Sequence, residues 1–142
     1  MSFGGLVVLR YLWAAPCTLV GGVAAAMMLL CGARARGVRG VIEVSGGAFM
    51  HRLPFDAITL GHVVLARTPH AMRRLRRHER VHVQQCERWG PAFFAAYLLA
   101  GVWQWLRGRR AYWDNPFETE ARGQGLRAGG CAPTEGSSRS SA

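Results

Sequence analysis

RRHERVHVQQCERWG, residues 76 to 90, lies inside a longer helical pattern running from about residue 70 to residue 89. Advancing about 100° per residue from His78 places Trp89, His82, Leu75, Cys86, Glu79, Met72 and Val83 in order between about 20° and 140°. Arg76, Glu87, Arg80, Arg73, Gln84, Arg77 and Arg88 take the arc from roughly 160° to 280°. His78 and His82 therefore share the apolar face while the arginines fill the other. A helix of this kind must lay its apolar face on a core, and the rest of the chain has to supply one.

Upstream, Val41 to Val44 reads as a short strand closed by Gly46-Gly47, with a second extended piece after it. DAITLGHVVLA, residues 56 to 66, is rich in β-branched residues and reads as one strand, stopped by Thr68-Pro69. Downstream, Gly90-Pro91 breaks the helix and starts another, AFFAAYLLAGVWQWL, residues 92 to 106, uncharged and apolar nearly all round. It is short for a membrane span, so it is either a buried core helix or one lying at the membrane interface. Asn115-Pro116 predicts a short helix from Pro116 to about Arg122. From Leu126 to Ala142 the composition predicts a disordered tail.

Residues 11 to 33 carry no charge and are long enough to span a bilayer as a helix. Arg34, Arg36 and Arg39 follow, against Arg10 alone before, so the positive-inside rule puts the following domain in the cytoplasm. A cleaved signal peptide ending near Ala33-Arg34-Ala35 and a buried soluble helix are the competing readings. The expectation is a small α+β protein: an N-terminal transmembrane helix (residues 1–33), a site domain (34–125) with a small sheet or hairpin behind the central helix and further helices, and a tail (126–142). At 142 residues the chain has room for one such domain.

His78, Glu79 and His82 form H-E-x-x-H. Two imidazoles four apart project from adjacent turns of one face and can grip a single ion. Zn2+ suits neutral imidazole, prefers four ligands and keeps one position open for water in catalytic sites. Glu79, about 100° round from His78, flanks that ion and is placed to take a proton from the water. Two core histidines satisfied by carbonyls would give the same pattern without a metal.

A third protein ligand is needed, and the sequence offers NPFETEARG, residues 115 to 123. H-E-x-x-H followed on a later helix by E-x-E-A resembles the gluzincin zinc metallopeptidases, including the membrane-embedded prenyl-protease group. The stretch from about Ala57 to Ala121 is also similar to small bacterial membrane proteins with a strand, an HExxH helix and an N-P-F-E helix. The resemblance implies a minimal gluzincin-like core, zinc-dependent hydrolysis of peptide bonds, Glu79 as the catalytic base, and Glu118 as third ligand beside His78 and His82. Where the family carries an aspartate after the alanine, this chain has Arg122. Asn115 and Glu118 also have capping-box spacing, which would turn Glu118 back to the cap and leave Glu120 as the free carboxylate. Tyr112 and His62 are candidates to stabilise an oxyanion, although His62, sharing a strand face with Ile58, Leu60 and Val64, fits a core or supporting histidine better. Gln85 is near enough to His78 to bond substrate or ligand, with a surface glutamine as the plainer reading.

All eighteen basic residues are arginine and the net charge is +10, so anionic lipid, nucleic acid and acidic protein are all open as partners. Arg73, Arg74, Arg76, Arg77 and Arg80 have no aromatic residues among them, which favours a solvated face near an anionic membrane over nucleic acid. Cys17, Cys31, Cys86 and Cys131 include no C-x-x-C pair and read as reduced or incidental. The expected partners are thus an anionic membrane surface and a peptide or protein substrate. A non-catalytic membrane protein with a structural or vestigial metal site, closed by His62 or Cys86, is the alternative.

Overall fold

A computed structural model describes residues 3–52 and 54–127. In chain order the elements are α1 (Phe3–Leu30), β1 (Arg34–Val38), β2 (Val41–Ser45), a 3-10 turn (Met50–Arg52), β3 (Ala57–Leu60), β4 (Val63–Ala66), α2 (Pro69–Trp89), α3 (Ala92–Leu106) and α4 (Pro116–Arg127). The protein is α+β, with a four-stranded mixed sheet of order β1-β2-β4-β3. β2 and β4 run parallel, with Ile42 opposite Val63, and both outer pairs are antiparallel.

The run 56–66 is two strands and not one. Gly61, at φ 64°, turns the chain over with His62, and Leu60 pairs with Val63 directly across that two-residue loop. A Gly-X loop of two residues is a favoured hairpin connection, because a positive φ at its first position matches the twist of the strands. His62 therefore sits in a turn and shares no strand face with Ile58, Leu60 and Val64. β1 is a strand where only a charged flank was read, and the piece expected to be extended after Gly46-Gly47 is the 3-10 turn. α4 runs on to Arg127, past Arg122 and into the predicted tail, of which residues 128–142, with Cys131, lie outside the described residues.

β4 is buried on both faces, and its alternation divides the core. Val63 and Leu65 join Ala25 and Met28 of α1, with Val44 and Met50; Val64 and Ala66 join Met72 and Val83 of α2, with Val41. The sheet is thus covered by α1 on one face and α2 on the other. Ala14, Cys17, Ala25 and Met28 are the buried edge of α1. Gly21 lies along the same edge, where a Cβ would stand 2.6 Å from the Leu60 carbonyl oxygen and 2.8 Å from the Val63 Cβ. The outer side of α1 stays apolar and exposed at Leu12, Leu19, Val20, Val23 and Met27. Val7–Leu30 is long and apolar enough to cross a membrane. α3 is not a core helix: Phe93 and Gln104 are buried, while Leu98, Leu99, Val102, Trp103, Trp105 and Leu106 are exposed.

Three of the five clustered arginines are occupied within the fold. Arg76 Nε and Nη2 each donate at 2.7 Å to the carboxylate of buried Glu43, Arg74 pairs with Asp56 at 2.7 Å, and Arg80 donates to the carbonyls of Val38 and Arg39. Their first task is to fasten α2 to the sheet.

Two substitutions test this packing by denaturant melts in mild detergent. Gly21→Val should destabilise by about 1–3 kcal/mol through overpacking, while Gly22→Val, which meets nothing within 4 Å, should not. Equal melts for the pair would refute the contact of α1 with the hairpin. Arg76→Ala, which strands a buried carboxylate, should lose about 1–3 kcal/mol, and Arg77→Ala should stay within about 0.5 kcal/mol.

Candidate metal centre

α2 begins where Thr68 Oγ1 accepts the Ala71 N–H at 3.0 Å with a proline in the first turn. That start fixes the helix phase, and with it the direction of the motif. His78 and His82 turn towards α3 and α4, and their Nε2 atoms come within 3.2 Å of each other. Glu118 completes the cluster, with Oε2 3.3 Å from His78 Nε2 and Oε1 3.3 Å from His82 Nε2. One ligand atom from each residue lies within 4.8 Å of the others, so the group could hold a metal ion.

Glu118 is 3 % exposed and is placed by α4's own start. Asn115 Oδ1 accepts the Phe117 N–H, and Asn115 Nδ2 donates to the Tyr97 carbonyl, tying α4 to α3. The Asn115 amide donates to the Tyr112 carbonyl, so the reciprocal bond of a capping box is not made and Glu118 is free to point inward. Tyr97 Oη donates to Glu118 Oε1 at 2.7 Å. Glu118 Oε2 is buried without a hydrogen bond of its own, although His78 Nε2 is near. A buried carboxylate oxygen without a hydrogen bond, beside two imidazole nitrogens, is what an ion between them would satisfy, and on this the three residues fit a metal.

Gln85 is buried, not a surface glutamine. Its Nε2 donates to the Phe117 carbonyl at 3.1 Å and to Glu120 Oε2 at 2.8 Å, which leaves its Oε1 to accept from His82 Nδ1 at 2.8 Å. With the proton on Nδ1, the lone pair of His82 Nε2 faces the cluster. Glu120 is held by Gln85, Gln124 and Arg88 and is not part of the cluster.

Burial alone would raise the Glu118 carboxyl, but the nearness of His78, His82 and Tyr97 outweighs it and holds the group well below the usual carboxylate range. Burial also disfavours a charged His82, yet Glu118 and Gln85 beside it leave its pKa above the ordinary value. A buried anion among polarised imidazoles is a site that rewards a cation. Glu79 is buried next to them and is not among the converging ligand atoms. Its Oε2 accepts from Thr59 Oγ1 at 2.7 Å, and burial keeps its pKa above that of an ordinary glutamate.

His78, Glu79, His82 and Glu118 line a cleft of about 890 Å³. β3 forms one wall through Ala57, Ile58 and Thr59, and α3 another through Phe94, Tyr97 and Leu98. Tyr112 and Arg122 stand on the same cleft. Burial, followed by the charge of Glu118, pushes the Tyr112 hydroxyl up to about 12, so it keeps its proton. Arg122 Nη1 is 3.8 Å from Glu118 Oε2, its Nη2 donates to the Trp113 carbonyl, and its guanidinium lies over the Trp113 ring.

His62 is elsewhere. Its Nδ1 meets Thr18 Oγ1 at 3.2 Å, its Nε2 meets Glu87 Oε1 at 3.1 Å, and its ring stacks on Tyr11. It is a core histidine with polar partners on the far side of α2, and Cys86 is a buried free thiol that burial pushes up to about 12. Neither joins the cluster, so among the described residues three side chains, and not four, could hold an ion there. Tyr97 and Thr59 were not read from the sequence. A lone hydroxyl in the apolar stretch of α3 was the available signal for Tyr97; for Thr59 there was none, since its partner depends on how β3 packs under α2.

Compared with known proteins, the chain matches no family model, no curated protein and no solved structure.

Elemental mass spectrometry on the purified chain should find close to one divalent ion per molecule. Glu118→Ala and the double variant His78→Ala/His82→Ala should lose it, and Glu120→Ala should keep it. Gln85→Ala should weaken metal affinity roughly 10- to 100-fold, as for other groups that orient a ligating histidine.

Proposed function

We propose that the chain is a membrane-associated zinc metallopeptidase with a minimal gluzincin-like core. The observation that carries this reading is the meeting of His78 and His82 with Glu118 from a later helix, in a cleft that also holds buried Glu79. Two imidazoles and a carboxylate suit zinc, which when bound supplies a Lewis acid for a carbonyl oxygen and for water. Three protein ligands leave a position open, as catalytic sites need.

The chain's own groups supply the rest. Glu79, its proton affinity raised by burial and its carboxylate oriented by Thr59, takes a proton from the attacking water and delivers it to the departing amine as the C–N bond breaks. β3 is the outer strand of the sheet on the cleft side, so a substrate in extended form has a backbone to pair with. Phe94 and Leu98 offer it apolar contact, and the hydroxyl of Tyr112 and the guanidinium of Arg122 are donors for a developing oxyanion. In this reading the apolar helix α1 anchors the protein in an anionic membrane, with the site on the cytoplasmic side following the arginines after residue 33. No nucleic-acid partner belongs to it.

One observation favours a second reading, a non-catalytic protein with a structural or vestigial metal site. Arg122, in place of the family's aspartate, sets a cation 3.8 Å from the ligand carboxylate and competes with the metal for it. Glu79→Gln separates the two. In the catalytic reading it keeps the metal, and hydrolysis of a peptide library falls by roughly 10²- to 10⁴-fold, the usual contribution of a general base. Unchanged hydrolysis would overturn Glu79 as the base, and none in the metal-loaded parent would leave the second reading.

A further inference from the structure

On the side of α2 away from the metal cluster, a second cavity of about 410 Å³ opens between the N-terminal part of α1, the β1–β2 turn and the arginine face of α2. Arg10, Arg39, Arg80 and Arg88 line it, against a single carboxylate, Glu87. That carboxylate is already engaged, by His62 Nε2 at 3.1 Å and by Arg10 at 3.9 Å. Arg80 spends its donors on the neutral carbonyls of Val38 and Arg39, so no acid offsets its charge. Arg88 pairs with Glu120 at 3.6 Å outside the cavity, so among the described residues Arg39 and Arg80 are the lining arginines that no carboxylate pairs with.

Arg39 sharpens the case. It is the first residue of the two-residue turn between β1 and β2 and stands at φ 48°, followed by Gly40 at φ 77°. Such a turn asks for asparagine or glycine at its first position, and a long arginine there is held against the local preference. Tyr11 Oη donates to the Gly40 carbonyl and pins this turn against α1. The backbone of the turn is thus held against α1, and the exposed side chain of Arg39 lines the basic crevice. Beside it, α1 exposes Val7, Val8 and Leu12 next to Arg10 and Tyr11, an apolar surface adjoining a cationic one.

We propose that this crevice binds a phosphate group, and that the phosphate belongs to an anionic phospholipid whose acyl chains lie along the outer face of α1. Guanidinium groups match phosphate oxygens in pairs, and the adjoining apolar helix gives the lipid source the advantage over free phosphate. The site is independent of the metal centre and of any hydrolytic activity.

The test titrates the full chain in a neutral detergent with phosphatidylglycerol, with phosphatidylcholine and with inorganic phosphate, reading the thermal midpoint and lipid retention by native mass spectrometry. The variants are Arg39→Asn, which places the residue that the turn prefers, and Arg10→Gln. Saturable stabilisation by phosphatidylglycerol but not phosphatidylcholine is expected. Half-saturation should shift by about tenfold or more in each variant, the loss of one charge-assisted contact. Arg39→Asn alone should melt no lower than the parent, which a merely structural role for Arg39 would not give. If inorganic phosphate reproduces the effect and its loss in both variants, the site stands with free phosphate as its source. Absence of saturable binding of either probe, or binding that both variants leave intact, overturns the proposal.

Discussion

A carboxylate buried at 3 % exposure sets the terms for most of this molecule. Leaving Glu118 charged inside the protein requires compensation from every side, because burying an unpaired carboxylate costs several kcal/mol. The compensation comes from three separate elements: His78 and His82 on α2, Tyr97 on α3, and Arg122 on α4 itself. α3 and α4 are joined by Asn115 and α2 and α4 by Gln85, so the three helices are oriented by polar contacts that lead back to one charge. Aromatic packing of Phe93, Tyr97 and Phe117 fills the space between them. Apolar burial holds the helices together, and the contacts of the carboxylate link all three.

The sheet answers a different demand. Four strands of four or five residues cannot bury two faces alone, and the second face is covered by α1. The helix that is apolar enough to enter a membrane is thus also a layer of the fold, with Gly21 allowing its backbone onto the β3–β4 hairpin. The sheet contacts one side of α1, and the opposite side is apolar and exposed. Its low amphipathicity hides this division: glycine, alanine and cysteine on the packed side look no more polar than leucine and valine on the other.

This explains which parts of the architecture could be read from the sequence. α2 was legible because its two faces differ sharply in polarity, and its ends carry Thr68-Pro69 and Gly90. α3 was legible as a helix, but its exposure was not, since an apolar helix looks the same facing core or lipid. The hairpin was missed because Gly61-His62 interrupts the β-branched run without a polar turn residue. β1 was missed because its arginines face solvent from an outer strand that pairs, among the described residues, with β2 alone. In the cluster, two members share one helix and follow from spacing alone. Glu118 entered through a resemblance, and choosing it over Glu120 needed the direction of α4, which depends on Asn115 reaching α3. Tyr97 and Thr59 depend wholly on tertiary packing.

A chain of net charge +10 is a poor attractor for a divalent cation, and the fold has to work against its own composition. It does so by distance and by pairing. α2 carries its arginines on the face opposite His78 and His82, about a helix diameter or 10 Å away, comparable to the screening length at moderate salt. Arg74 and Arg76 are paired with Asp56 and Glu43. On the near side, Glu79 and Glu118 bring two carboxylates to the imidazoles, enough to balance a divalent ion if both are ionised. Arg122 then adds one positive charge too many. Burial raises the proton affinity of Glu79, and the excess is larger when Glu79 is protonated.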